Sequence, residues 1–147
     1  MSRRAFTVAE VNALVPVLER GFLHVLQLRA GLRGVEEKLE RAGVGTSDDD
    51  LVIQESDGQE SRLAKAFYRG YDEALSDALA AIQTLGCEIK DVDRGLVDFP
   101  SRRNGEDILL CWQLGERACS FWHDARAGFA GRRPIDAHIL QISERLD

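Results

Sequence analysis

The sequence predicts an α+β fold: a long antiparallel helical hairpin packed on a small antiparallel meander sheet, followed by a short C-terminal helix. Three observations carry that expectation. Apolar residues recur at helical spacing through the first half of the 147-residue chain. One glycine-rich and acidic stretch, from Gly43 to Asp50, interrupts them. After Gly86 the apolar period drops to two, the signature of strands whose side chains alternate between faces. The boundaries that follow are a helical hairpin over 8–85 with an acidic loop at 43–58, a sheet over 87–123, and a loop with a terminal helix over 124–147. All of it is read as one domain, 1–147, a size that can bury a core without disulfides or metal.

The first helix is expected to begin at a capping box. Thr7 can accept from the backbone of Glu10, Glu10 can reach back to Thr7, and Phe6 can staple onto Val11. Val11, Leu18, Val25, Leu32 and Leu39 then repeat every seven residues, with Leu14, Leu28 and Val35 three residues after their partners. Such a coiled-coil-like seam spans about 50 Å at 1.5 Å per residue. Pro16 cannot donate to the carbonyl of Asn12, so a kink or a second helix start is expected there. Asp48, Asp49 and Asp50 lack the alternating ligands and glycine of a calcium loop and read as a solvated, mobile charge run.

A second helix is expected from the Asp57–Glu60 capping arrangement, with Leu63, Phe67, Tyr71, Ala74, Leu75, Ala78, Ile82 and Leu85 along one face until Gly86 stops it. Tyr68 and Tyr71 read as seam residues, and the alanines and Gly70 allow close approach. Beyond Gly86, Asn104-Gly105 is a two-residue hairpin turn that pairs Arg103 with Glu106 and sets Asp98 opposite Cys111. "ACSFWH" (118–123) reads as the third meander strand. If its turn preserves the binary pattern, Cys119, Phe121 and His123 join Val97, Phe99, Ile108, Leu110 and Trp112 on the apolar face, while Asp98, Cys111, Ser120 and Trp122 lie opposite.

Composition excludes several function classes. Nineteen basic against twenty-five acidic residues give a net charge of −6, which argues against a nucleic-acid surface. The N-terminus has no apolar export segment and no apolar run reaches membrane-spanning length, so the expectation is a cytoplasmic protein without a membrane partner. Cys87, Cys111 and Cys119 are odd in number and lack C-x-x-C spacing, which fits buried reduced thiols.

"GERACSFWHD" (115–124) gathers a glutamate, a cysteine and a histidine. In an extended run, Glu116 and His123 lie roughly 23 Å apart. Ligands of one ion must lie within about 4 Å of each other, so the two cannot chelate together within one chain. In the register assumed above, His123 falls opposite Glu106 with Asp107 and Asp124 adjacent, so His123 and Glu106 form the candidate divalent-metal pair. The alternative is a histidine hydrogen-bonded to a carboxylate at a sheet edge. His24 is a second candidate partner for His123. The loop "GFAGRRP" offers backbone donors and Arg132 for an anion, against the alternative that its arginines simply pair with acids. No nucleophile with a base and orienter is readable, so no catalytic residue is assigned.

"FTVAEVNALVP", then "GLVDFP", "LCW.LGE" and "WH....GF.GR.P", resemble the small bacterial proteins grouped as domain-of-unknown-function family 2203. The resemblance covers the first helix and the whole sheet region. It implies a helical hairpin with a small sheet, no established activity, and an association with metal binding whose matching positions are Asp98, Glu116, His123 and Arg132.

The functional expectation is binding of a divalent metal ion or a small anionic ligand near the sheet edge. His123 and Glu106 are its metal ligands; Arg132, Asp98 and Glu116 are its ligand-binding residues. The alternative is a protein-interaction adaptor or homo-oligomeric scaffold acting through helix surface that so small a sheet leaves uncovered. A third reading, a hydrolase or dehalogenase-type enzyme, finds no catalytic set in the sequence.

Overall fold

Thr7 and Glu10 cap the first helix reciprocally: the Glu10 amide donates to Thr7 Oγ1 at 3.0 Å and the Thr7 amide to Glu10 Oε1 at 2.9 Å. The hydrogen bond from the Thr7 backbone, with Arg4 nearby, holds the Glu10 carboxyl below its ordinary pKa. From this cap, helix α1 runs unbroken over Val8–Arg41 in the computed structural model, which describes residues 4–136. Pro16 lies inside it and no second helix start occurs there. The remaining elements are α2 (Gln59–Gln83), β1 (Glu88–Asp91), β2 (Leu96–Arg103), β3 (Glu106–Gln113), β4 (Phe121–Asp124), a 3-10 turn (Phe129–Gly131) and β5 (Arg133–Pro134). The terminal helix expected around Ile139, Ile142 and Leu146 lies outside the described residues.

The chain divides into two compact units, one built from residues up to Phe22 and from Ala81 onward, the other from Leu23–Ala80. The Leu23–Ala80 unit is the antiparallel hairpin. Val35, Leu39, Leu51 and Ala64 form its buried cluster, with Val44, Tyr68 and Tyr71 packed against it. Close approach comes from Gly31 rather than Gly70: a Cβ on Gly31 would collide with the Tyr71 ring, whereas Gly70 faces open space. The α2 seam is also rotated from the expected one. Leu63 and Phe67 are exposed, while Ala64, with Tyr68 and Tyr71, faces the cluster.

The acidic loop of this unit has structure of its own. Ser47 Oγ donates to Asp50 Oδ2 at 2.7 Å and the Asp50 amide returns to Ser47 Oγ at 3.2 Å, a small capping box that turns Leu51 into the core. Asp57 does not cap α2 as expected. Its carboxylate accepts from the Gln54 amide and from the buried Lys65 Nζ at 2.8 Å, and these bonds lower its pKa.

In the other unit, five antiparallel strands follow chain order, β1-β2-β3-β4-β5. The Asn104-Gly105 turn has both residues at positive φ, 51° and 78°, the geometry a two-residue hairpin needs. It sets Arg103 opposite Glu106 and Asp98 opposite Cys111, as the sequence predicts. One sheet face presents Val97, Phe99, Ile108, Leu110 and Trp112, all 3 % exposed or less. The first half of α1 covers it: the Phe22 ring lies 6.4 Å from Trp112, and Phe6 meets Phe99 edge-on at 5.0 Å. The Cys119 amide donates to Asn12 Oδ1 at 2.7 Å, tying the β3–β4 loop to the same helix.

The register of β4 differs from the expected one. Leu109 pairs with His123, Leu110 with Trp122 and Cys111 with Phe121. His123 is therefore opposite Leu109 and not Glu106, a shift of three residues. An odd shift reverses parity, so every β4 side chain changes face. Trp122 enters the apolar face, 6 % exposed, while Phe121 and His123 join Asp98 and Cys111 on the other. The cause is the connection. Only Phe121–Asp124 is extended, and residues 114–120 form a loop turned by Gly115 at φ 104°.

Candidate metal centre

Asp98 and Cys111 are cross-strand neighbours on β2 and β3, and His123 on β4 lies diagonal to Cys111 across the next ladder. Pleating points all three side chains to the face away from α1. One ligand atom from each lies within 4.8 Å of the others. The three residues are 3 %, 0 % and 2 % exposed respectively, too deep for a casual surface cluster.

The two nitrogens of His123 have unlike partners. Nδ1 lies 2.8 Å from the Asp124 carbonyl oxygen and Nε2 lies 3.0 Å from Asp98 Oδ1. A carbonyl only accepts, so Nδ1 carries the proton in the neutral ring and Nε2 presents a lone pair. That lone pair faces an oxygen of a carboxylate, which when ionised also only accepts. Something positive must lie between them: a second proton or a metal ion. The backbone carbonyl on Nδ1 is the arrangement that orients a metal-ligating imidazole through its other nitrogen.

Cys111 supplies the third donor. Burial, then the nearby Asp98 carboxylate, pushes its thiol up to about 12. It stays protonated at neutral pH until a cation displaces the proton. Cys119, pushed up to about 12 by burial, is a core thiol beside the Cys111 and Phe121 carbonyls. Cys87, at about 11 for the same reason, points to the Ile82 carbonyl.

The segment after β4 covers this face of the sheet. Asp124 Oδ1 accepts the amides of Arg126 and Ala127, at 3.1 and 2.9 Å, turning the chain back over the cluster. A cavity of about 350 Å³ remains beneath it, with Asp98, Cys111 and His123 on its wall beside Lys90, Asp91, Arg126 and Phe129.

Arg132 and Glu116 meet each other. One guanidinium nitrogen reaches both carboxylate oxygens, at 2.7 and 3.0 Å, and approaches the Cys111 carbonyl at 3.5 Å. Burial is the largest single influence on the Arg132 pKa and lowers it, but the hydrogen bond to Glu116 together with the charges of Cys111 and Glu116 outweighs it and raises the value. The guanidinium also lies over the rings of Phe121 and Phe129, 4.1 and 4.7 Å from their centroids. Glu116 further accepts the Gln113 amide at 2.7 Å, and its carbonyl takes the Trp112 indole at 3.0 Å. This pair braces the loop that fixes β4's register. In the "GFAGRRP" loop, the amides of Gly131 and Arg132 close the 3-10 turn onto Gly128 and Phe129.

Of the residues singled out from sequence, His123 and Asp98 come together, and so do Glu116 and Arg132. Glu106 is exposed at the hairpin end, where its register partner is Arg103. His24 is exposed, and both His123 nitrogens are engaged without it. Cys111, which the structure adds to this group, does not stand out in the sequence because a lone thiol reads as core. The signal that could have found it is Trp122: burying this larger ring, in place of Phe121, turns His123 toward Asp98 and Cys111.

No curated protein and no solved structure matches this chain. The family model described as "Uncharacterized conserved protein (DUF2203)" matches residues 4–135, which include α1, α2, the five strands of the described residues and the whole cluster. The chain belongs to that family.

Proposed function

We propose that this protein binds one divalent transition-metal ion through Asp98, Cys111 and His123. The observation that carries the reading is the pairing at His123, whose Nε2 faces Asp98 at 3.0 Å while Nδ1 is held by a carbonyl. A carboxylate, a thiolate and an imidazole form a donor set of intermediate softness, suited to Zn²⁺ and Co²⁺ over Mg²⁺ or Ca²⁺. Three protein ligands beside a cavity also match a centre that keeps one coordination position for a small molecule, not a closed structural site. The metal pair expected from sequence thus gives way to a set in which Asp98 and Cys111 accompany His123 and Glu106 takes no part.

Calorimetric titration of chelator-treated protein with Zn²⁺, with elemental analysis of the loaded protein, tests this. One ion per chain is expected in the parent protein, and none at this site in His123→Ala or Cys111→Ser. Binding that survives both substitutions would overturn the reading.

A second reading concerns self-association. Leu63 and Phe67, one turn apart on α2, are 49 % and 57 % exposed. A second copy of the chain covering this stripe would make the protein a homo-oligomer. Sedimentation of Phe67→Glu against the parent tests it, and a monomeric parent would contradict it. No helix among the described residues is long and apolar enough to cross a membrane.

A further inference from the structure

The cavity beside the cluster has two cationic side chains that the metal does not need. Lys90 and Arg126 line it from β1 and from the covering segment, before and after the three ligands in sequence. Leu96, Leu109 and Phe129 supply its apolar wall. Arg94 and Arg132 both lie over the Phe129 ring, at 4.3 and 4.7 Å from its centroid, and hold that wall in place.

Charge identifies what fits. The titratable groups on the wall are Lys90, Asp91, Asp98, Cys111, His123 and Arg126. With a divalent ion bound and Cys111 as thiolate, the two cations and the ion outweigh the two carboxylates and the thiolate on the wall by one positive charge once Lys90 leaves Glu88, its partner outside that wall. A monoanion balances that excess, and a phosphate dianion exceeds it. At about 350 Å³ the space is at the lower end for small-molecule sites, on the order of ten water molecules' worth of volume. Its apolar wall suits a hydrocarbon body.

Resting on the metal reading above, we infer that this cavity is a site for a small monocarboxylate. The carboxylate lies between the ion and the Lys90 and Arg126 side chains, and the hydrocarbon body lies against Leu96, Leu109 and Phe129. Lys90 already reaches Glu88 Oε1 at 2.9 Å, an exposed pair that an incoming carboxylate must compete with. Arg126 is exposed. The ligand class is set by the wall, whereas the ion is set by the sheet, so the two can be separated by substitution.

The test uses full-length protein loaded with Co²⁺, whose visible absorption reports its coordination. Propionate and benzoate should each change the spectrum saturably, while propionamide and benzamide should leave it unmoved. Arg126→Ala and Lys90→Ala should each raise the carboxylate Kd at least tenfold with Co²⁺ affinity unchanged. Co²⁺ bound with a spectrum that carboxylates do not move would overturn the carboxylate site alone. So would equal binding of the neutral amides, stronger binding of inorganic phosphate, or an unchanged Kd in both variants. Failure of Co²⁺ to bind at all would remove the metal reading and this inference with it.

Discussion

His123 Nε2 and Asp98 Oδ1 lie 3.0 Å apart across two strands that are not adjacent in the sheet, with β3 and Cys111 between them. The contact exists because the β4 register turns His123 onto the Asp98 face.

Asp98→Asn separates the metal from the fold. The amide can donate to Nε2 while Nδ1 keeps its bond to the Asp124 carbonyl, so the metal-free variant should match or exceed the parent in thermal stability. Zn²⁺ affinity should nevertheless fall more than about a hundredfold, since losing even an outer partner of a ligand costs ten- to a hundredfold. Scanning calorimetry and Zn²⁺ titration of the same preparation check both halves.

Metal affinity should rise with pH. The Cys111 thiol is pushed up to about 12 by burial and by Asp98, so binding expels its proton throughout the neutral range. Competition against a chromophoric chelator between pH 6 and 8 should show at least about a tenfold gain per unit. A flat profile would exclude thiolate ligation.

The thiols should be silent in the native state. All three cysteines are buried, with pKa values raised to about 11 or 12, leaving a thiolate fraction on the order of one in a thousand or less at pH 8. A thiol-reactive dye should label the protein only as fast as it unfolds, and Zn²⁺ should slow the labelling further.

Helix α1 depends on its cap. Thr7→Ala should cost about 1 kcal/mol in denaturant unfolding at neutral pH. The Glu10 carboxyl is held below its ordinary value of 4.5, mainly by the Thr7 backbone bond. Its contribution is therefore complete above that value and fades as pH falls through the lowered one. The stability gap between the parent and Glu10→Gln should close in acid.

Gly86 should not accept a side chain. It sits at φ 110°, and a Cβ there would strike the Phe6 ring, which packs on Phe99. Gly86→Ala should cost about 3 kcal/mol, from backbone strain together with displacement of that ring.

Much of this architecture could be read from local chemistry. The Thr7–Glu10 box, the Asn104-Gly105 turn and the Asp98–Cys111 pairing each depend on residues close in sequence or on a turn that dictates register. What could not be read depended on distant partners. The β4 parity is set by a seven-residue loop held by Glu116, Arg132 and Asn12, and no periodicity within "ACSFWH" encodes its length. The α2 seam likewise depends on packing across the hairpin, where Ala64 and Tyr68 join Tyr71 at the buried cluster and Leu63 and Phe67 lie outside it. For the first of these reasons His123 lies opposite Leu109 and on the Asp98 face, and not opposite Glu106.

The most direct measurement is a crystal structure of the Zn²⁺-loaded protein with anomalous scattering recorded at the zinc edge. One strong peak is expected, at about 2.0–2.3 Å from His123 Nε2, an Asp98 oxygen and Cys111 Sγ, with Nδ1 still on the Asp124 carbonyl. An anomalous map without a peak there, and Nε2 bonded directly to Asp98, would contradict it.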